Sequence, residues 1–252
     1  TTLLGSLVQQ LGRVEEHPHA TGETPEVLGR KVDQCVALVV SLSDALALIG
    51  DTQAVGKLYQ AVGLRHRRIR TEAAAALVRL GESAGVDELV ALAAEPIARL
   101  RVVAHAEELG VADRIDPQYL TDAAQAESRV ALELAQPAYF GIPPSKLDLI
   151  DSCTQSWPGY DQPVPCYLFR YEYRLQDAVY SNVAIAGPLV HTFTADLLDL
   201  PPADIYAAFA GWDPWPRSRA RSRRRPPLPR WRRAPTRRSS RTAATPGSLQ
   251  AR

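Results

Sequence analysis

The sequence predicts an α-helical solenoid, then a small α+β domain built on an antiparallel sheet, then a disordered Arg-rich tail. Three observations carry this prediction. Glycine-closed helical segments return about every 30 residues, apolar alternation switches to a period of two near Tyr167, and the last 36 residues hold Arg, Pro, Ser and Thr with no acidic residue.

The helical part rests on Leu48-Ile49-Gly50, Arg79-Leu80-Gly81 and Glu108-Leu109-Gly110, whose glycines lie 31 and then 29 residues apart. Arg70 and Arg99 each stand 11 residues before Gly81 and Gly110. Such a period describes two-helix units that bury their apolar faces only by stacking. Within the units, Val32, Cys35, Val36, Val39, Leu42, Leu46 and Ile49 keep helical spacing. Asp51-Thr52 caps a helix striped by Ala54, Leu58, Ala61 and Val62. After the Gly63–Arg68 loop, Ala73, Ala76, Leu77 and Leu80 share one face, and Gly81 ends the helix because glycine enters the left-handed region without a Cβ penalty. Val86, Leu89, Val90 and Ala93 repeat the stripe, as do Val102, Ala106 and Leu109 after the Glu95-Pro96 break. Residues 117–135 read as a further helix capping the stack, so the solenoid is set at residues 1–135.

The Arg followed by an Ala-rich helix and a Leu-Gly stop, with an acidic-Pro turn such as Glu95-Pro96 ahead of it, resembles the HEAT-like repeats of the phycobilisome-lyase family over residues 30–113. The resemblance implies stacked helical pairs and a protein-binding surface. It also implies that Arg70 and Arg99 pair with acidic residues of a neighbouring loop. Some members of that family handle bilin chromophores, but no residue set here demands one. The basic loop Arg65-His66-Arg67-Arg68 stands out within an acidic body. It is either a solvated connection or a contact for phosphate or an acidic partner, and it lacks the aromatic interleaving of a nucleic-acid surface.

A proline-marked linker at 136–146 leads to the α+β domain at 147–214. Tyr167, Phe169, Tyr171, Tyr173 and Leu175 alternate with Leu168, Arg170, Glu172 and Arg174, the pattern of a half-buried strand. Val179 to Ile185 form its partner across a Gln176-Asp177 turn, with further strands at Leu147–Asp151 and Leu189–Phe193. A helix running from Pro201-Pro202 to Gly211 closes the domain. Trp157, Tyr160, Asp161, Tyr180, Asn182 and His191 lie near its turns and are the candidate binding residues. Asp161 and His191 would serve as an acid–base pair if they met, though a lone His near a strand end is more often an ordinary hydrogen-bonded residue. No phosphate loop, nucleophile elbow or metal-ligand spacing is present, so no catalytic residue, cofactor or metal is assigned.

Cys35, Cys153 and Cys166 suit a reducing, cytoplasmic setting as small buried hydrophobes. A Cys153–Cys166 bridge across a hairpin is open but not required. No run of 18 apolar residues crosses a membrane, no signal peptide is legible, and the Thr1 start without any Met points to an internal fragment. The net charge of +1 hides two objects: residues 217–252 carry 13 Arg, and without them 16 basic face 28 acidic residues, near −12. A genuine tail from 215 to 252 would bind nucleic acid or an acidic partner through its arginines. The abrupt switch at Pro214–Arg217 and the absence of Lys instead fit an out-of-frame reading of a GC-rich gene. The first functional expectation is a non-enzymatic scaffold or adaptor that offers its solenoid surface to another protein. The alternatives are an enzyme or cofactor handler, bilin-lyase-like or centred on His191, and, through the tail alone, a nucleic-acid binder.

Overall fold

In a computed structural model, which describes residues 1–17, 22, 24–176, 178–209 and the backbone of 232–233, the chain forms a helical domain followed by an α+β domain. The helices are α1 (Thr2–Glu16), α2 (Pro25–Leu48), α3 (Val55–Val62), α4 (Arg67–Arg79), α5 (Ser83–Ala93), α6 (Pro96–Glu108) and α7 (Asp122–Leu134). Strands β1 (Lys146–Gln155), β2 (Val164–Leu175), β3 (Ala178–Ala186) and β4 (Val190–Thr192) follow, then α8 (Pro202–Phe209) and the two-residue β5 (Arg232–Arg233).

The three glycines end their helices in the same way. Gly50, Gly81 and Gly110 have φ of 72°, 88° and 70°. In each case the following N–H reaches back five residues (Asp51 to Leu46, Glu82 to Leu77, Val111 to Ala106) and the glycine N–H reaches back three. This is the Schellman arrangement, which satisfies the last carbonyls of the helix. The apolar stripe expected on α4 is instead a helix enclosed on every side: Ala73, Ala74, Ala75, Ala76 and Leu77 are all at most 1% exposed. The reason is that α2, α3, α5 and α6 all pack against it, and alanine lets each approach. Gly85 sets the closest crossing. A Cβ there would lie 2.6 Å from the Ala74 carbonyl oxygen and 2.9 Å from the Leu77 Cβ.

Ion pairs join successive helical pairs at nearly one period. Arg67 bonds Glu95, Arg79 bonds Glu108 at 2.7 Å, Arg101 bonds Glu72 at 2.6 Å and Arg99 bonds Glu127 at 2.6 Å. Arg70 reaches Glu88 at 2.6 Å and Glu95 at 3.4 Å, so it pairs with the next helix as well as with the loop ahead of α6.

The sheet is antiparallel in the order β1-β2-β3-β4. β1 begins at Lys146, inside the expected linker, and runs on to Gln155, while β4 is shorter than the expected Leu189–Phe193. The linker is not a free tether either. Phe140 packs at 4.6 Å on Tyr173 and 5.6 Å on Tyr180, and the hydroxyls of Tyr139 and Thr192 bond at 2.8 Å. The strand predicted to be half-buried is so in its second half, where Arg170 and Arg174 are exposed, but its first half is covered on both faces. Phe169, Tyr171 and Tyr173 meet Ala126, Val130 and Leu134 of α7, while Cys166 and Leu168 meet Ile205, Tyr206 and Phe209 of α8. The expected capping helix α7 therefore packs on α6 on one side and on the sheet on the other. Within the tail, the backbone of Arg232–Arg233 pairs with Tyr180–Ser181 of β3, where no strand was expected. The rest of the tail lies outside the described residues.

Both glycine roles are measurable by urea unfolding at unchanged slope. Gly81→Val should cost about 1–2 kcal/mol, the penalty for an L side chain at left-handed φ. Gly85→Val should cost about 3 kcal/mol, because the obstructing atom is backbone and cannot swing away. A Gly85 variant milder than the Gly81 variant would refute the close α4–α5 crossing.

Candidate functional site

A cavity of about 640 Å³ opens between the start of α4, the outer face of α6 and α7. Its mouth carries Arg65, Arg67, Arg68 and Arg101, and its wall is Ile97, Ala98, Leu100, Ala104 and Leu132. The volume lies within the range of ligand-binding clefts. Ile97 and Leu100 fall off the buried stripe of α6, and Leu132 is 42% exposed on α7, so apart from the core residue Ala98 the wall consists of apolar groups that the domain core does not use.

The cavity holds polar groups without a hydrogen-bond partner among the described residues. Thr71 is 1% exposed, and its Oγ1 has no hydrogen-bond partner among the described residues; Nδ1 of His66 is likewise buried without one. Burial lowers the His66 pKa, with Glu15 opposing, which favours the neutral ring. The N-cap residue of α4, His66, makes no side-chain capping bond, so the first-turn N–H groups and the helix dipole add positive potential at the mouth. Just outside, the Glu15 carboxylate of α1 accepts the backbone N–H groups of Arg65 and His66 at 2.8 and 3.1 Å. The turn thus already grips one carboxylate.

The arginines divide into two kinds. Arg67 pairs with Glu95 and Arg101 with Glu72. Arg65 and Arg68 are exposed and have no ion-pair partner among the described residues. Behind Arg101, Glu72 is 4% exposed and also bonds Nε2 of His105 at 3.0 Å. Burial, the largest influence, disfavours the Glu72 charge, but the bonds to His105 and Arg101 and their charges outweigh it and hold its pKa down to about 2. Arg101 is therefore anchored to a buried carboxylate, and Arg65 and Arg68 are the cations left for a ligand.

The residues picked from the turns of the second domain do not form one site. Trp157 and His191 come together under α8, both against Phe209, at 4.7 and 5.2 Å between ring centroids. Trp157 is 2% exposed and belongs to the core. Tyr180 lies on the opposite face of the sheet against Phe140. Asn182 is buried and donates to the Phe193 carbonyl at 3.1 Å, fixing the chain after β4. Tyr160 and Asp161 are exposed, and Asp161 has no ion pair among the described residues. His191 also packs edge-on to Phe193 at 4.6 Å, and burial pushes its pKa down to about 4. Arg70 and Arg99 do pair with acidic residues, but chiefly of neighbouring helices rather than of a loop: Arg99 with Glu127 of α7, and Arg70 with Glu88 of α5 as well as with Glu95 ahead of α6. Gly50, Gly81 and Gly110 close helices. The residues that sequence reasoning missed are Thr71 and the wall of Ile97, Leu100, Ala104 and Leu132; their signal was apolar positions out of phase with the buried stripes.

No group of three or more His, Cys, Asp or Glu among the described residues could hold a metal ion, and no described helix is long and apolar enough to cross a membrane. Compared with protein-family models, with curated proteins and with solved structures, the chain finds no match in any of the three.

The buried His191 makes stability depend on pH. Its folded pKa lies below the unfolded value of 6.5, so the unfolded chain takes up the proton first. The stability it protects is intact above pH 6.5 and is lost as the pH falls towards 4. His66 shifts in the same direction, and Glu72 acts only below 4.5, in both wild type and a His191→Leu variant. The melting temperature of wild type should fall faster than that of the variant across this window; parallel curves would show that His191 is not desolvated.

Proposed function

We propose that the protein is an interaction scaffold: an α-solenoid of HEAT-like units, with the α+β domain fixed to its last helix, that holds an acidic segment of another protein in the Arg-rimmed cavity. The observation that carries this reading is the pair of arginines, Arg65 and Arg68, that have no ion-pair partner among the described residues, above a buried Thr71 hydroxyl without a hydrogen-bond partner there and a partly exposed apolar wall. The ion pairs spaced at 28 and 29 residues support the stacked units. The surrounding body, near −12 without the tail, makes a local cationic mouth selective for a short acidic segment rather than for a long polyanion.

The energetics divide between the two kinds of group. Exposed charge pairs contribute about 0.2–1 kcal/mol each and are screened by salt. Burying a Leu, Ile or Phe side chain contributes about 1.5–3 kcal/mol. The fitting partner segment therefore carries one or two apolar anchors for Ile97, Leu100 and Leu132, with acidic residues or a carboxyl terminus directed at Arg65, Arg68 and the start of α4. Charge sets orientation and on-rate, and the anchors supply most of the affinity.

Selection of a displayed random peptide library on residues 1–215 tests this directly. Enriched peptides should be acidic with Leu, Ile or Phe anchors, and Arg65→Glu/Arg68→Glu should weaken them at least about tenfold while leaving the melting temperature unchanged. Enrichment of basic peptides, or acidic peptides indifferent to the double variant, would contradict the reading. So would tight binding of single-stranded DNA at physiological salt in preference to the peptides.

A further inference from the structure

A second feature, independent of the cavity, lies on the α8 face of the sheet. The register of β1 against β2 places Cys153 directly opposite Cys166. Opposed residues of an antiparallel pair have Cα atoms about 4.5–5.5 Å apart. That separation falls inside the range of about 4.4–6.8 Å in which a disulfide closes without moving the backbone. Both thiols are free, Cys166 is fully buried, and Cys153 is half-buried against the same cluster. Tyr206 of α8 lies beside them, where burial first and Cys153 second raise the pKa of its hydroxyl.

We propose that Cys153 and Cys166 form a reversible thiol–disulfide site that locks the edge strand β1 to β2 beneath α8. The two sulfurs have different parts. Burial pushes the Cys166 thiol up to about 11, with Cys153 adding to the shift, so Cys166 is a poor first nucleophile. Cys153 is the more exposed of the two and meets the oxidant. Its thiolate attacks one sulfur of a small disulfide such as glutathione disulfide; that S–S bond breaks, and one glutathione leaves with the proton Cys153 gave up. The mixed disulfide now stands opposite Cys166, whose sulfur loses its proton, attacks Sγ of Cys153 and expels the second glutathione as a thiol. Two electrons pass from the pair to glutathione disulfide, and one protein S–S bond replaces two S–H bonds.

The lock has a definite structural effect. Among the described residues β1 has a neighbour on one side only, and a register shift between Leu149 and Asp151 interrupts its pairing. The bond would close the loop 154–165, which carries buried Trp157, and restrain the unfolded chain there. Cys35 lies on α2 in the helical domain, where its thiol faces Gln10, and it is the internal control.

The test equilibrates the intact protein in glutathione buffers of stepped potential, quenches with an alkylating reagent and maps the cysteine peptides by mass. The expected result is a Cys153–Cys166 cross-linked peptide, lighter by two hydrogens, forming at a defined potential and reversed by reduced glutathione, with a higher melting temperature for the oxidised protein. Cys35→Ser should leave the transition in place. Cys153→Ser should abolish it and leave Cys166 slow to alkylate. Wild-type protein in which Cys153 and Cys166 are both still alkylated after exposure to glutathione disulfide alone would overturn the proposal, as would a bridge that includes Cys35. Because the wild-type mass map decides the matter, a variant that folds poorly cannot rescue or hide the result.

Discussion

Arg99 is the pin on which the two halves of this molecule depend. It is 3% exposed, and its guanidinium donates to the carbonyls of Ala93, Ala94 and Ala124 and to the Glu127 carboxylate. It therefore joins the end of α5, the start of α6 and the start of α7, with the Tyr119 ring 5.0 Å from its guanidinium carbon. A buried guanidinium is tolerable only when its donors are filled, and here carbonyls and one carboxylate share the work. Removing it would leave the Glu127 carboxylate without its cation and the Ala93 and Ala94 carbonyls without this donor, while the Ala124 carbonyl keeps the Ser128 hydroxyl. Losing a buried guanidinium is costlier than losing an exposed ion pair.

What Arg99 holds in place is α7, and α7 belongs to both domains. One side of it packs on α6. The other gives Ala126, Val130 and Leu134 to the aromatic face of the sheet, and the Leu134 carbonyl accepts the Tyr173 hydroxyl at 2.5 Å. The same helix places Leu132 in the wall of the Arg-rimmed cavity. Core, domain junction and candidate site are thus faces of one 13-residue element. The split between paired and unpaired arginines follows from this geometry. Arg67, Arg79, Arg99 and Arg101 have acidic partners 28 or 29 residues away, whereas Arg65 and Arg68 precede or open α4 and meet none among the described residues.

The helix ends and strand positions were legible in the sequence because they depend on local chemistry: glycine at left-handed φ, proline in a first turn, and alternation at a period of two. Enclosure was not. Ala73 to Leu77 read as a one-sided stripe because periodicity registers which residues are apolar, not how many neighbours surround the helix. Tyr167 to Leu175 read as half-buried along its whole length because Cys166 and Leu168 gave only weak signal for a second covered face in its first half. Arg65–Arg68 was legible as a basic loop, but its apolar wall comes from α6 and α7, about 30 and 65 residues further on, and no local pattern joins them. The loop residues Tyr160, Asp161 and His191 looked chemically suggestive, yet the fold sends the first two to solvent and the third against phenylalanine rings.

The dependence of the sheet on Arg99 is best measured by native-state hydrogen exchange on wild type and an Arg99→Met variant, which keeps much of the side-chain volume but none of the donors. Loss of the buried pair should cost about 3 kcal/mol. Protection should fall by a common amount in α6, α7 and the β2–β3 ladder, while α2 and α3 lose less. Amides of β2 and β3 that keep their full protection while α7 exchanges freely would show that the sheet stands without α7, and the shared-helix account would be wrong.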